Sequence, residues 1–144
     1  MLKGTDGTFF STMVTRDTPL YTFVPDVCRS LLLRYVHDSE VMNIPTYRFE
    51  PVDENFHSSE SNSPNACYCT RKKCKDWCSG QNGIFDIGPC NDEAPLFASS
   101  PHFLFTQPDL NSLVEGLTPD VKFHKTWLDI EPVNAFTKVG NALK

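Results

Sequence analysis

Five of the six cysteines in this chain, Cys67, Cys69, Cys74, Cys78 and Cys90, crowd into one short segment, and this constrains the fold more than any other feature. Such density belongs as a rule to an oxidising compartment, where thiols close into disulfides. The competing chemistry is a tetrathiolate zinc site, because the four sulfurs of Cys67, Cys69, Cys74 and Cys78 lie near enough in sequence to surround one ion. The spacing disfavours it. Structural zinc sites draw on pairs set about two to four residues apart on separate knuckles. Cys67 and Cys69 are separated by Tyr68 alone, and no histidine lies close by. No metal or cofactor is expected.

The rest of the composition is that of a folded soluble protein, with 40% hydrophobic and 22% charged residues in 144. A net charge of -5 argues against general affinity for nucleic acid, which requires a surplus of cations. No segment approaches the ~20 consecutive apolar residues of a membrane span. The longest candidate, Ser30 to Leu33, is broken by Arg34. The first residues, Met1 to Gly7, lack the apolar run of a signal peptide. Cysteines of secreted type without an address are reconciled if the sequence is a piece of a longer protein, with signal or anchors outside it.

Along the chain, Leu20 to Val24, Leu31 to Val36 and Thr46 to Phe49 read as antiparallel strands, with Asp38-Ser39 and Asn43-Ile44-Pro45 as breaks. Pro25-Asp26 can start a short helical turn carrying Cys28. Residues 53–66 lack apolar periodicity and are expected to form a mobile surface loop ahead of the cysteine-rich segment 67–90. Asn82-Gly83 suggests a tight hairpin before Ile84 to Ile87. Leu96-Phe97 and Phe103-Leu104-Phe105 read as buried. Asp109 to Leu117 is the best helix, with Leu110, Leu113 and Val114 on one face. Thr126 to Ile130 alternates as a final strand.

Chemistry-bearing motifs are sparse. Arg71, Lys72, Lys73 and Lys75 gather beside the cysteines and read as a solvated loop tip, with an anionic contact as the sharper alternative. His37, His57, His102 and His124 form none of the arrangements that set a base beside a nucleophile, so no catalytic residue is assigned and the chain is not read as an enzyme. His102 reads as a hydrogen-bonded core or turn residue. Asp129 and Glu131 share a strand face, where a solvated edge or a turn cap outweighs acid-base work. Phe49, Phe85, Phe103 and Leu128 are packing candidates, and no lipid-contacting residue is singled out.

A set of short strings, in order, carries a resemblance across almost the whole chain: Gly4-Thr5-Asp6-Gly7, Asp26-Val27-Cys28-Arg29-Ser30, Ile44-Pro45-Thr46-Tyr47-Arg48-Phe49, Cys67-Tyr68-Cys69, Gly83-Ile84-Phe85-Asp86-Ile87, Pro101-His102-Phe103, Glu115-Gly116-Leu117 and Leu128-Asp129-Ile130-Glu131-Pro132. Together they resemble the class B scavenger receptor family, which includes the platelet fatty-acid translocase, lysosomal integral membrane proteins, croquemort and the sensory neuron membrane proteins. The resemblance implies an α+β, mostly antiparallel fold. Residues 1–144 would form part of a glycosylated ectodomain β-barrel with short helices, stapled by disulfides and crossed by an apolar tunnel. It implies that Cys28 pairs with Cys90 and Cys69 with Cys78, while Cys67 pairs with a cysteine upstream of Met1. Cys74 has no counterpart, and a Cys67 to Cys74 bond is then the expectation for the leftover pair. Lys3 stands where the family commonly carries a sequon asparagine, and the chain contains no Asn-x-Ser/Thr site with x other than Pro.

The function implied is that of a receptor fragment binding or transferring lipids, fatty acids, lipoproteins or other hydrophobic ligands. Its expected place is the extracellular or lumenal side of a membrane, the plasma membrane first and the lysosome second, with the spans outside this chain. An independent secreted, disulfide-rich binding module is the alternative, and a zinc-stabilised intracellular interaction domain the third reading.

Overall fold

The structure is a computed structural model that describes residues 3–69, 82–106, 110 and 112–141. The chain divides into two compact units, one built from residues 1–25, 29–52 and 126–144, the other from 26–28 and 53–125.

The first unit is a five-stranded antiparallel sheet curled as a half-barrel. Its strands are β1 (Leu20–Val24), β2 (Arg29–Val41), β3 (Ile44–Pro51), β6 (Thr126–Ile130) and β7 (Thr137–Asn141), in the order β1-β2-β3-β6-β7. Registers set Leu20 opposite Leu33, Tyr35 opposite Phe49 and Phe49 opposite Leu128. Paired residues share a face, so this alternation collects one continuous apolar face. Leu33, Phe49 and Ile130 are fully buried there, and Val14, Ala135 and Phe10 pack in from the flanking segments.

Strand β2 does not break at Asp38-Ser39, contrary to expectation; it runs on to Val41. A register shift between Tyr35 and His37 inserts Val36 as a bulge. One extra residue exchanges the two faces of everything beyond it. Asp38 is thereby brought onto the face of Tyr35 and Tyr47, where Tyr35 Oη donates to it at 3.0 Å and Arg16 pairs with it at 2.9 Å. Ser39 moves to the other face, opposite Thr46. Both polar residues are thus accommodated in a strand interior.

The expected break at Asn43 is a two-residue hairpin turn, with Val41 opposite Ile44 and both Met42 and Asn43 at positive φ, 53° and 63°. Two positive φ values match the right-handed twist of the strands. Ile44 and Pro45 themselves belong to β3.

The second unit contains β4 (Ile84–Asp86), β5 (Phe97–Ser99), the one-turn helix α1 (Val121–His124) and several 3-10 turns. Asn82-Gly83 precedes β4, but β4 pairs with β5, across residues 87–96. Gly83 sits at φ +84°, where an added Cβ would collide with the Phe105 carbonyl, so the glycine answers to close packing. Phe97 and Leu96 are largely exposed, against expectation. In the two-stranded ribbon Ala98 lies opposite buried Phe85 and Phe97 opposite Asp86, which sets Phe97 on the face away from Phe85.

Phe85 and Phe105 each stack on Phe56, with centroids 5.4 and 4.7 Å from its ring. The segment 53–66 forms two 3-10 turns closed by asparagines: Asn65 Nδ2 donates to the carbonyls of Glu54 and His57, and Asn62 Nδ2 to that of Glu54. Asp109 and Asn111 of the expected 109–117 helix lie outside the described residues, and Leu113 and Val114 are exposed instead of facing a core. Helix α1 was not anticipated; Asp120 caps it, accepting from Lys122 N at 2.8 Å.

Met42 supplies a prediction. A left-handed methionine costs about 1 kcal/mol more than an asparagine, which tolerates this conformation. Met42→Asn is expected to stabilise the chain by about 1 kcal/mol in chemical denaturation, and an unchanged or lower midpoint would show that the turn is not of this type.

Candidate functional site

The face of the sheet opposite the core carries an ion pair. Arg48 and Asp129 are directly opposed in β3 and β6, and the guanidinium grips the carboxylate with two contacts, Nε to Oδ1 and Nη2 to Oδ2, both 2.8 Å. Ser39 Oγ donates to Asp129 Oδ2 at 3.4 Å and accepts from Arg48 Nη2 at 3.3 Å. The guanidinium carbon lies 3.9 Å from the centre of the Trp127 ring, a cation–π contact. Asp129 is 1% exposed. It is therefore a buried partner and not the solvated edge expected of it. The hydrogen bonds that Arg48 donates to Asp129 raise the Arg48 pKa, against the opposing effect of burial. Glu131 is the turn cap: its carboxylate accepts from the amides of Asn134 and Val133, which hold it below its ordinary value of 4.5.

Beside the ion pair the sheet opens. β3 pairs with β6 only over Tyr47 to Phe49, so Ile44 to Thr46 diverge from the β6–β7 turn. The gap is a groove of about 490 Å³ lined by Val41, Ile44 and Phe136 at its apolar walls and by Thr46, Asp129 and Thr137 among its polar lining. Its size lies in the range of about 300–1,000 Å³ usual for small-molecule sites. The hydroxyls of Thr46 and Thr137 are buried and have no hydrogen-bond partner among the described residues. Ile44 and Phe136 are exposed. Thr46 and Phe136 were not singled out in sequence: an isolated threonine or aromatic carries no signal until the register places it.

In the second unit the structure joins Cys28 to Cys90, with Cα atoms 6.4 Å apart. Closing a loop of this span contributes about 4 kcal/mol through the unfolded state. Cys67 and Cys69 form no disulfide among the described residues, and the partners expected for them, Cys74 and Cys78, lie outside those residues together with Arg71, Lys72, Lys73 and Lys75. His102 is a turn histidine at φ 51° whose Nδ1 accepts from Thr118 N, and its ring stacks on His124 with centroids 4.0 Å apart. Phe49, Phe85 and Leu128 are buried packing residues, while Phe103 is partly exposed. No helix among the described residues is long and apolar enough to cross a membrane.

Two predictions follow from this electrostatics. Removing one partner of a buried pair strands the other, so Arg48→Ala should destabilise the first unit by about 3–5 kcal/mol, whereas the double replacement Arg48→Met with Asp129→Leu should cost much less. Equal losses in denaturant titrations would contradict the buried pair. Asp38 is held below its ordinary 3.8, chiefly by its hydrogen bond from Arg16, as Glu131 is below 4.5. Carboxyls depressed in the fold contribute stability that is fully present above their unfolded pKa values and lost as pH falls through the folded ones. Stability should thus decline below about pH 4.5, and Asp38→Asn with Glu131→Gln should flatten that decline; an unaltered slope would count against both contacts.

Comparison with known proteins places these features in a family. The CD36 family model matches residues 1–141. The scavenger receptor class B member 1 of Rattus norvegicus is 38% identical over 133 residues, which cover 92% of this chain and 25% of the rat protein. The Bos taurus protein of the same name is 35% identical over 133 residues, with 92% and 25% coverage. The sensory neuron membrane protein 2 of Ostrinia furnacalis is 34% identical over 147 residues, 96% of this chain and 27% of that one. The chain spans about a quarter of the length of these relatives. The family match over residues 1–141, with relatives 34–38% identical over 92–96% of the chain, shows that the chain belongs to the CD36 family.

Proposed function

We propose that this chain is part of the extracellular or lumenal domain of a membrane receptor that binds hydrophobic ligands, such as lipids, fatty acids or lipoproteins, and that it does no catalysis of its own. The observation that carries the reading is the groove beside Arg48 and Asp129, whose apolar walls, Val41, Ile44 and Phe136, sit on a face separate from the packed core. Relatives named as scavenger receptors and as a sensory neuron membrane protein support a receptor at a membrane. The plasma membrane is the first location proposed and the lysosome the second. The Cys28–Cys90 bond supports an oxidising side. The proposed pairing of Cys69 with Cys78 belongs to the same picture.

The test is displacement of an environment-sensitive apolar dye from the 144-residue chain by long-chain amphiphiles. Ile44→Lys and Phe136→Lys alter exposed walls and should leave the circular dichroism unchanged while weakening amphiphile binding by about ten-fold, the effect of placing a charge against an apolar ligand. Binding that neither substitution changes would remove the groove from the function.

A further inference from the structure

His102 and His124 meet face to face in the second unit, with ring centres 4.0 Å apart and planes 9° from parallel. Each ring is also fixed at its edge. The Thr118 amide donates to His102 Nδ1 at 3.2 Å, and the Asp120 amide donates to His124 Nδ1 at 3.0 Å. A ring nitrogen that accepts from an N–H carries no proton, so both imidazoles are neutral, with their one proton on Nε2. Together these contacts tie the 101–103 turn to residues 118–124. The chain between the rings carries Leu113, Val114, Val121 and Phe123, all exposed, so the tie holds a set of apolar side chains in place.

Acid undoes each contact. A proton added at Nδ1 sets one donor against another, and a proton on both rings places two like charges 4.0 Å apart. The 101–103 turn brings no charged side chain besides His102, while the segment that brings Thr118 and α1 carries Glu115, Asp120, Lys122 and Lys125. Asp120 accepts from the Lys122 amide, and Lys122 lies over the Phe123 ring. No salt bridge joins a carboxylate to either imidazole among the described residues. Two acidic and two basic side chains leave no net charge to offset two imidazoliums. We infer that His102 and His124 form an acid-released latch. It holds at neutral pH and opens as pH falls through the range in which free imidazole titrates, about 6.5, which frees the apolar side chains of the tied segment to move. A receptor carried from neutral medium into an acidic compartment crosses this range.

The test is amide hydrogen exchange of the intact 144-residue chain, followed by 15N NMR at about pH 7.5 and 5.5 and corrected for the pH dependence of the intrinsic rates. The lower value lies above the range in which the depressed carboxyls Asp38 and Glu131 titrate. An imidazole that takes its proton only in the open state favours opening about ten-fold there. Protection of the Thr118 and Asp120 amides should therefore fall by about ten-fold or more on acidification. Ring 15N shifts at neutral pH should show both histidines protonated on Nε2. In the double variant His102→Asn with His124→Asn, a side-chain oxygen takes the place of Nδ1 as acceptor and does not titrate. Asparagine also tolerates the positive φ of position 102. This variant, with its fold checked by circular dichroism, should keep the two amides equally protected at both pH values. Amides unprotected at neutral pH, protection undiminished by acid, rings protonated on Nδ1, or an equal acid loss in the folded variant would each overturn the latch. Should the variant not fold, the ring tautomers and the acid response of the parent decide.

Discussion

The half-barrel unit depends on one interaction across β3 and β6, the grip of Arg48 on Asp129, which joins positions 81 residues apart. Two charges withdrawn from water are costly, and the cost is offset only when every lone pair and proton finds a partner. Here the bidentate geometry, the Ser39 bridge and the Trp127 ring together offset it, and the Arg48 side chain keeps 23% of its surface in solvent. A shift of β6 by one residue along β3 would leave an unpaired charge and also turn Leu128 and Ile130 out of the core. Electrostatics and hydrophobic packing therefore select the same pairing. The same register ends the pairing at Tyr47 and leaves the divergence in which the groove lies.

The second unit solves a different problem. Among its described residues the regular pairing is the short β4–β5 ribbon, and the apolar packing centres on Phe56, Phe85 and Phe105. A core of that size does little to repay the entropy of ordering so many turns, which is the circumstance in which covalent staples matter. The Cys28–Cys90 bond acts there, and asparagine side chains stand in for the missing backbone ladders: Asn65 and Asn62 on the Glu54 carbonyl, Asn82 on the Ser58 amide.

How much of this the sequence discloses varies with the physics involved. β1 was legible to the residue and β6 by its alternation, because each has one face in the core. Glu131 was legible as a cap, because capping is local. Asp129 was not: whether a strand carboxylate is a wet edge or a buried partner depends on what lies opposite, and Arg48 is remote in sequence. Asp38-Ser39 read as a break because a bulge cannot be seen in composition, although the bulge is what makes those two residues acceptable. The Cys28–Cys90 bond was accessible through family resemblance and not through spacing. The groove was illegible for a related reason: Val41 and Ile44 are remote in sequence from Phe136, and only the register of the sheet brings them to one wall.

The most direct test of the central claim is the proton-exchange rate of the arginine Nε–H groups in 15N NMR of the intact chain at neutral pH, with exposed Arg34 as the internal reference. A buried bidentate pair predicts a resolved Arg48 Nε–H signal that exchanges far more slowly than that of Arg34. An Arg48 signal exchanging as fast as Arg34 would mean that the guanidinium is free in solvent, and the register, the sheet and the groove built on it would have to be redrawn.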